Sequence, residues 1–316
     1  MSATRRMTTR PEIDDWGRFV RQPSLFDARI TADGSSGYPA EPGRYHIYVC
    51  HACPWASRAV IVRRLKGLED VVSMSAVDPI RDERGWAFRD GPGYSRDPIN
   101  DFSFLSEAYL ATDPTYDRRP TVPAVWDKKT NKLISNDYHT ITLDLATQFN
   151  AYAGNDIDLY PEVLRPDIDR VNAIVYDTIN NGVYKAGFAQ RQEAYEEAVT
   201  ALFGSLDDLD RELATQRYLV GEQLTEADIR LFTTLVRFDA VYHYHFKCNI
   251  RRLTDYDELW AYARDLFQTR GIGDTVEFET IKRHYYMTHP HINPNRIVSL
   301  GPMVDWSEPS GRNSTR

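Results

Sequence analysis

In the run Tyr45-His-Ile-Tyr-Val-Cys50-His-Ala-Cys53-Pro-Trp-Ala-Ser-Arg58, a cysteine stands immediately before a proline, where an alternating segment gives way to a helical one. Proline suits the first position of a helix, because the N–H it lacks would have no intrahelical partner there. Cys53 is thereby predicted at the N-cap, its sulfur facing the first-turn N–H groups and the positive end of the helix dipole. Such surroundings stabilise a thiolate and typically lower a cysteine pKa from about 8.5 to roughly 3.5–7.5. The chemistry expected is nucleophilic attack by sulfur. The alternative is a small buried residue, since free cysteines are among the most buried types. A proline-punctuated helix start after a strand favours the reactive reading.

Cys50-His-Ala-Cys53 is also a C-x-x-C pair, a spacing that suggests dithiol redox work. In dithiol oxidoreductases, however, the attacking cysteine comes first and its partner lies one turn inside the helix, where this chain has Ala56. Cys50 lies back toward the strand, so a one-cysteine mechanism centred on Cys53 is preferred. Cys50 then either forms a disulfide with Cys53 under oxidation or ends the strand, and the order of the pair favours the second.

The elements that must position Cys53 are legible around it. Tyr45 to Val49 reads as a strand, Pro54 to Lys66 as an amphipathic helix, and Val71 to Val77 as a second strand, which together make a βαβ unit. Residues 1–44 are polar and turn-rich and read as an extension draped over a domain that spans 45–150. Within that domain, 78–119 reads as a long irregular insertion, a length that is usually functional or disordered. Pro120-Thr-Val-Pro123 leads into a strand through Trp126, Lys132 to Ser135 pairs back, and Asp137 to Gln148 forms a helix with Asp137 near its positive end. Val122-Pro123 is a candidate cis peptide. From Pro166 the pattern is helical throughout: 166–181, 192–215, 225–242, 259–268 and 275–285, in a domain spanning 166–286. Thr225 with Asp228 three residues on is a variant capping box. Residues 287–316 read as a loosely held tail.

Composition limits the function classes. A chain of 316 residues is long enough for two domains and a sizeable core. Net charge is −8 and no dense Lys/Arg run appears, which disfavours nucleic acid or an anionic membrane as partner. Three cysteines do not make a disulfide framework, so a reducing compartment is expected. With no apolar leader or membrane-length apolar run, the expected location is the cytoplasm. His243, His245, His289 and His291 match no familiar structural zinc spacing, and no metal is expected.

Several separate stretches carry a family likeness. Ala52-Cys53-Pro-Trp-Ala-Ser-Arg58, Leu65-Lys-Gly-Leu68, Gly85-Trp86-Ala-Phe88, Thr121-Val-Pro-Ala-Val-Trp-Asp127, Tyr184-Lys-Ala-Gly-Phe-Ala189, Gln192-Glu-Ala-Tyr195, Phe246-Lys-Cys-Asn249 and Ile281-Lys-Arg-His-Tyr-Tyr286 resemble the xi-class glutathione transferases, the glutathionyl-hydroquinone reductases. The resemblance runs from about Phe19 to Pro302. It implies an N-terminal thioredoxin-like domain followed by an all-helical domain, and a homodimer formed through the helical domain. It also implies that Cys53 is the nucleophile, that Trp86 and Arg119 contact glutathione, and that the Val122 backbone pairs with its cysteinyl part as a short strand would. The γ-glutamyl end would fall at Asp137 and Tyr138, where the family usually has Glu then Ser. Asp137 offers an anion to an ammonium and Tyr138 a donor, to glutathione or to another low-molecular-weight thiol. No bound cofactor is implied.

The implied reaction removes glutathione from a glutathionyl-hydroquinone through a mixed disulfide on Cys53. Tyr184 and Tyr285 are the hydroxyls that would polarise the quinoid oxygen, help typically worth 10²- to 10⁴-fold. From the residues alone, Tyr184 and Tyr285 read as aromatic core, Trp86 equally as a loop anchor, and Arg119 as a solvated charge. Other readings are a deglutathionylating thiol transferase or dehydroascorbate reductase, and a non-catalytic protein of the same fold that binds aromatic ligands.

Overall fold

The computed structural model describes residues 12–312. The chain divides into two compact units, neither contiguous in sequence. Among the described residues, the first comprises 23–157 and 279–290, and the second 12–22, 158–278 and 291–312.

The first unit is built on a four-stranded sheet of β3 (Tyr45–Val49), β4 (Ser73–Ala76), β5 (Ala124–Asp127) and β6 (Lys132–Ser135), in the order β4-β3-β5-β6. β3 is buried along its whole length, as a central strand covered on both faces must be. It pairs in parallel with β4 (His46 opposite Ser73, Val49 opposite Ala76) and antiparallel with β5 (Tyr45 opposite Asp127, Tyr48 opposite Ala124). The parallel step is made by α1 (Pro54–Leu65), and β6 leads into α3 (Thr140–Thr147). A βαβ half followed by a ββα half is the thioredoxin-like arrangement, which places the N-terminus of α1 just beyond the end of the central strand.

Two local features differ from expectation. The insertion 78–119 is not wholly irregular, since Leu105–Thr112 forms α2. Its start lacks a short polar cap, and Glu107 supplies one from inside, accepting the Ser103 and Phe104 N–H groups at 3.1 and 2.9 Å. Helix α3 begins at Thr140 rather than Asp137. The Asp137 carboxylate accepts the His139 N–H and the Thr140 hydroxyl, at 3.1 and 2.9 Å, and so shapes the turn that precedes the helix.

His46 reports on how tightly the sheet is closed. Its ring nitrogens lie 2.9 and 2.8 Å from the Ser73 and Ser75 hydroxyls, and burial, with the charges of Lys128 and Arg63 adding, pushes its pKa down to about 3. The unfolded chain takes up this proton near pH 6.5 and the folded one does not. Stability from this group is therefore complete above pH 6.5 and is lost as the pH falls toward 3. Between pH 6.5 and 5, above the ordinary carboxylate range, unfolding free energy from urea titrations should fall with acidification by up to about 1.4 kcal/mol per pH unit for this histidine. His46→Gln should remove that share of the slope, while the buried His245, whose pKa burial likewise pushes down to about 4, keeps a similar share. An unchanged slope in the variant would assign the acid loss to other groups.

The second unit is helical: α4 (Arg165–Ile174), α5 (Gly182–Gly187), α6 (Gln192–Leu213), α7 (Glu226–Arg237), the short α8 (His243–His245) and α9 (Asp257–Gln268). Wider, π-helical turns follow α4 at Val175–Asn180 and α7 at Phe238–Tyr242. Along α6, Ala194, Ala198, Leu202, Leu206, Leu209 and Leu213 are buried, the three-to-four spacing of one apolar face. α7 is buried on every side and forms the centre of the unit. Asp228 on its first turn accepts the Leu219 and Thr225 N–H groups and the Thr225 and Tyr262 hydroxyls, at 2.7–2.9 Å.

Both ends of the chain are fastened differently from expectation. The extension does not lie on the first unit alone. A small hairpin of β1 (Glu12–Ile13) and β2 (Phe19–Val20) belongs to the helical unit, and only the stretch from Pro23 onward joins the sheet, where Phe26 and Asn136 exchange backbone and side-chain hydrogen bonds. The C-terminal segment is held at two places. Trp306 packs on Trp260, Phe267 and Phe278 at 4.9–5.7 Å, and Arg312 reaches Glu258 and the Leu213 and Gln216 carbonyls. The last helix, α10 (Phe278–Thr288), returns to the first unit from Glu279 onward.

Candidate active site

The turn between β3 and α1 is closed by the Cys53 N–H donating to the Cys50 carbonyl at 2.9 Å. Pro54 opens the helix and Cys53 occupies the N-cap in an extended conformation, as the sequence implies. The Cys53 carbonyl accepts the Ser57 N–H and hydroxyl, at 2.9 and 3.1 Å. The sulfur makes no capping bond to the first-turn N–H groups. Its S–H is directed instead at the Val122 carbonyl, 3.6 Å away, and Val122 precedes Pro123 through a cis peptide. Two of the residues singled out, Cys53 and Val122, are thus brought into contact. The other two cysteines are different in kind. Both are fully buried; burial raises the Cys248 thiol pKa and pushes that of Cys50 up to about 12, the nearby Cys53 adding to the latter.

The segment carrying Arg119 and Val122 is positioned from α2 and the turn that follows it. The buried Tyr109 hydroxyl donates to the Thr121 carbonyl at 2.8 Å and accepts the Thr121 N–H at 3.1 Å, while the Tyr116 hydroxyl donates to the Arg119 carbonyl at 3.0 Å. From the other side the Asn136 amide donates to the Thr121 hydroxyl at 2.9 Å. Asn136 directly precedes Asp137 and Tyr138, so one hydrogen-bonded chain sets the positions of all four residues relative to one another. Tyr138 in turn packs on Trp55, centroids 4.5 Å apart, at the first turn of α1. Tyr109, Thr121 and Asn136 escaped sequence reasoning. The helix that carries Tyr109 has Phe104, not Ser or Thr, three residues before Glu107, so the usual capping signature is missing from the sequence.

Trp86 is 5% exposed, so it can offer a ligand only a small part of its surface. Its ring is stacked on His284 of α10, centroids 5.3 Å apart at 20°, and the Arg81 guanidinium lies 4.8 Å from its centroid. Tyr285, next on α10, is buried in the same unit with His284 and His289 against its ring. Tyr184 belongs to the helical unit, where Phe188, Tyr242 and Phe246 surround it at 5.4–6.0 Å and the Arg21 guanidinium lies 4.9 Å from its ring. Gly187 makes room for this cluster, since a Cβ there would stand 2.2 Å from the Phe246 ring.

A thioredoxin-like unit with a cysteine at its first helix N-cap facing the residue before a cis-proline, joined to a helical unit, defines a class, and comparison with known proteins agrees. The glutathione S-transferase N-terminal domain family matches residues 52–148 and the C-terminal domain family residues 192–265. The glutathionyl-hydroquinone reductase YqjG of Escherichia coli is 49% identical over 303 residues, 94% of this chain and 92% of its own. Its glutathione-bound structure superposes with a TM-score of 0.89, covering 91% of this chain and 96% of that one. The glutathionyl-hydroquinone reductase PcpF of Sphingobium chlorophenolicum is 47% identical over 90% of each chain. The xi glutathione transferase of Phanerochaete chrysosporium is 46% identical, with a TM-score of 0.91 over 95% of this chain and 98% of that one. The chain belongs to the glutathione transferase family, in its xi class. Among the described residues, no helix is long and apolar enough to cross a membrane.

Proposed function

We propose that this protein is a thiol-dependent reductase of glutathionyl-hydroquinones in which Cys53 is the nucleophile and glutathione the co-substrate. The observation that carries this reading is the placement of Cys53 at a helix N-terminus and within reach of the Val122 carbonyl, in a chain so similar to two enzymes named for that reaction.

The chemistry is dictated by the group that the sulfur must displace. A bare aryl carbanion is a poor leaving group. If the conjugate first tautomerises to its keto form, the Cys53 thiolate attacks the glutathione sulfur, the carbon–sulfur bond breaks, and its electrons collapse into an enolate oxygen. Protonation of that enolate gives the free hydroquinone. A phenol donating to the developing enolate lowers the barrier, and Tyr184 and Tyr285 are the candidates. A second glutathione thiolate then attacks the mixed disulfide, releasing oxidised glutathione and the Cys53 thiolate. The helix N-terminus favours the thiolate at each return. Trp86, Arg119, Val122, Asp137 and Tyr138 hold the glutathione moiety: the Val122 backbone pairs with the cysteinyl residue, Asp137 receives the ammonium, and Tyr138 donates. No bound cofactor takes part. The same reading makes the protein a cytoplasmic homodimer joined through its helical unit.

The test is to incubate the protein with a glutathionylated hydroquinone and excess glutathione and to monitor free hydroquinone by chromatography. Release, with one equivalent of oxidised glutathione per hydroquinone, is expected. Cys50→Ala should release it within about twofold of the unaltered rate, because a thiol kept protonated by burial is no nucleophile at neutral pH. A much larger loss in Cys50→Ala would replace the one-cysteine cycle with a dithiol one, and no release by the unaltered protein would refute the activity.

A further inference from the structure

We infer that His284 is a positioning residue for thiol binding, holding Trp86 and the Pro79–Arg81 segment through its ring. The inference rests on the reading that Trp86 contacts the thiol.

His284 is delivered to the first unit by α10, some two hundred residues after the indole it covers. It makes two contacts with different parts of one loop. Its ring lies nearly parallel to the indole of Trp86, and its Nδ1 lies 2.6 Å from the Pro79 carbonyl. A carbonyl oxygen can only accept, so the proton of that bond is on Nδ1, which fixes the ring plane. The loop is pinned elsewhere by its backbone: the Asp78 N–H donates to the Ala87 carbonyl and the Leu105 N–H to the Trp86 carbonyl, both at 2.9 Å. These bonds hold the main chain at Trp86 and leave the tilt of its side chain to the groups packed on it. His284 and the Arg81 guanidinium are such groups. Arg81 stands two residues beyond the carbonyl that His284 grips, so one imidazole orients the indole directly and the guanidinium through the backbone.

The consequence comes from Trp86 being almost fully covered. A side chain that presents so little surface loses its contact when it tilts by a small angle, and misplacement of a binding group on this scale is costly. His284 acts through the Trp86 ring and the Pro79 carbonyl, so its removal should weaken thiol binding and leave the chemical step alone.

The test measures glutathione binding by titration calorimetry and hydroquinone release with glutathione varied, for the unaltered protein, His284→Ala and His284→Phe. His284→Ala should raise both Kd and the KM for glutathione by roughly three- to tenfold, the scale of one lost aromatic pair, with kcat at saturating glutathione within about twofold. His284→Phe keeps a stacking ring and should recover most of the affinity. Should the alanine variant fail to fold, His284→Gln, which keeps a donor for Pro79 but no ring, should bind more weakly than His284→Phe. An unchanged Kd in the alanine variant, a loss confined to kcat, or a phenylalanine variant no better than alanine or glutamine overturns the inference while leaving the reductase activity standing. If the unaltered protein neither binds glutathione nor releases hydroquinone, the functional reading falls and takes this inference with it.

Discussion

Cys53→Ser should release hydroquinone at least roughly 10³-fold more slowly than the unaltered protein, because the variant loses the group that forms the covalent intermediate and not merely a contact to it. Serine is nearly isosteric, although its shorter side-chain bond draws the hydroxyl back from the Val122 carbonyl that the thiol meets at 3.6 Å. Its oxygen does not ionise near neutral pH even with the helix dipole behind it, and it cannot form a disulfide. Binding of glutathione and thermal stability should stay close to those of the unaltered protein, which separates loss of chemistry from loss of structure. Intact mass after a single turnover without added thiol supplies the second readout: one glutathione added to the unaltered protein and none to the variant. Equal release by both proteins would remove Cys53 from the essential step.

The largest effect on stability is expected in the helical unit, at Asp228. Its carboxylate collects two backbone N–H groups and two hydroxyls at the start of the most deeply buried helix. Asp228→Ala leaves the Leu219 and Thr225 N–H groups and the Tyr262 hydroxyl buried with no acceptor, each costing about 1–3 kcal/mol, and removes the N-cap reciprocity of Thr225. The sum, after local relaxation, should be about 3–5 kcal/mol. It should appear as a lower urea midpoint, measured in the variant with Cys53 intact so that residual activity reports any folded fraction. A midpoint shift worth less than about 1 kcal/mol would mean that water reaches the site and replaces the carboxylate.

Much of this arrangement is legible in the chain because it is local. The proline after Cys53, the strand before it and the Thr225–Asp228 pair each describe a few neighbouring residues, and each appears in the structure where the sequence puts it, although the strand is buried on both faces and not alternately. The same holds for the cis bond at Val122-Pro123. The features that stay hidden in the sequence are of two kinds. Helix α2 is hidden because its cap is a glutamate acting backward from inside the helix, within a segment dominated by turn formers. The roles of Asn136, Tyr109 and His284 are hidden because each is defined by a partner far away in the chain, at Thr121 or at Trp86. No periodicity encodes such a pairing. The segment 287–316 reads as a loose tail for the same reason, since the residues that hold Trp306 and Arg312 lie in helices and turns well before it in the chain.

The return of α10 to the first unit also bears on how the protein is made. Residues 158–278 leave the ribosome before Glu279–Pro290 does, and at about 5–20 residues per second this is a wait of roughly ten seconds. Until it ends, the nascent sheet and the Cys53 turn exist without the imidazole that covers Trp86. The sheet-bearing unit is thus completed only after most of the helical unit has been made. A fragment stopped at residue 157 would never complete it, and a thiol-binding domain excised there should be a poorer object than the sequence of its strands suggests.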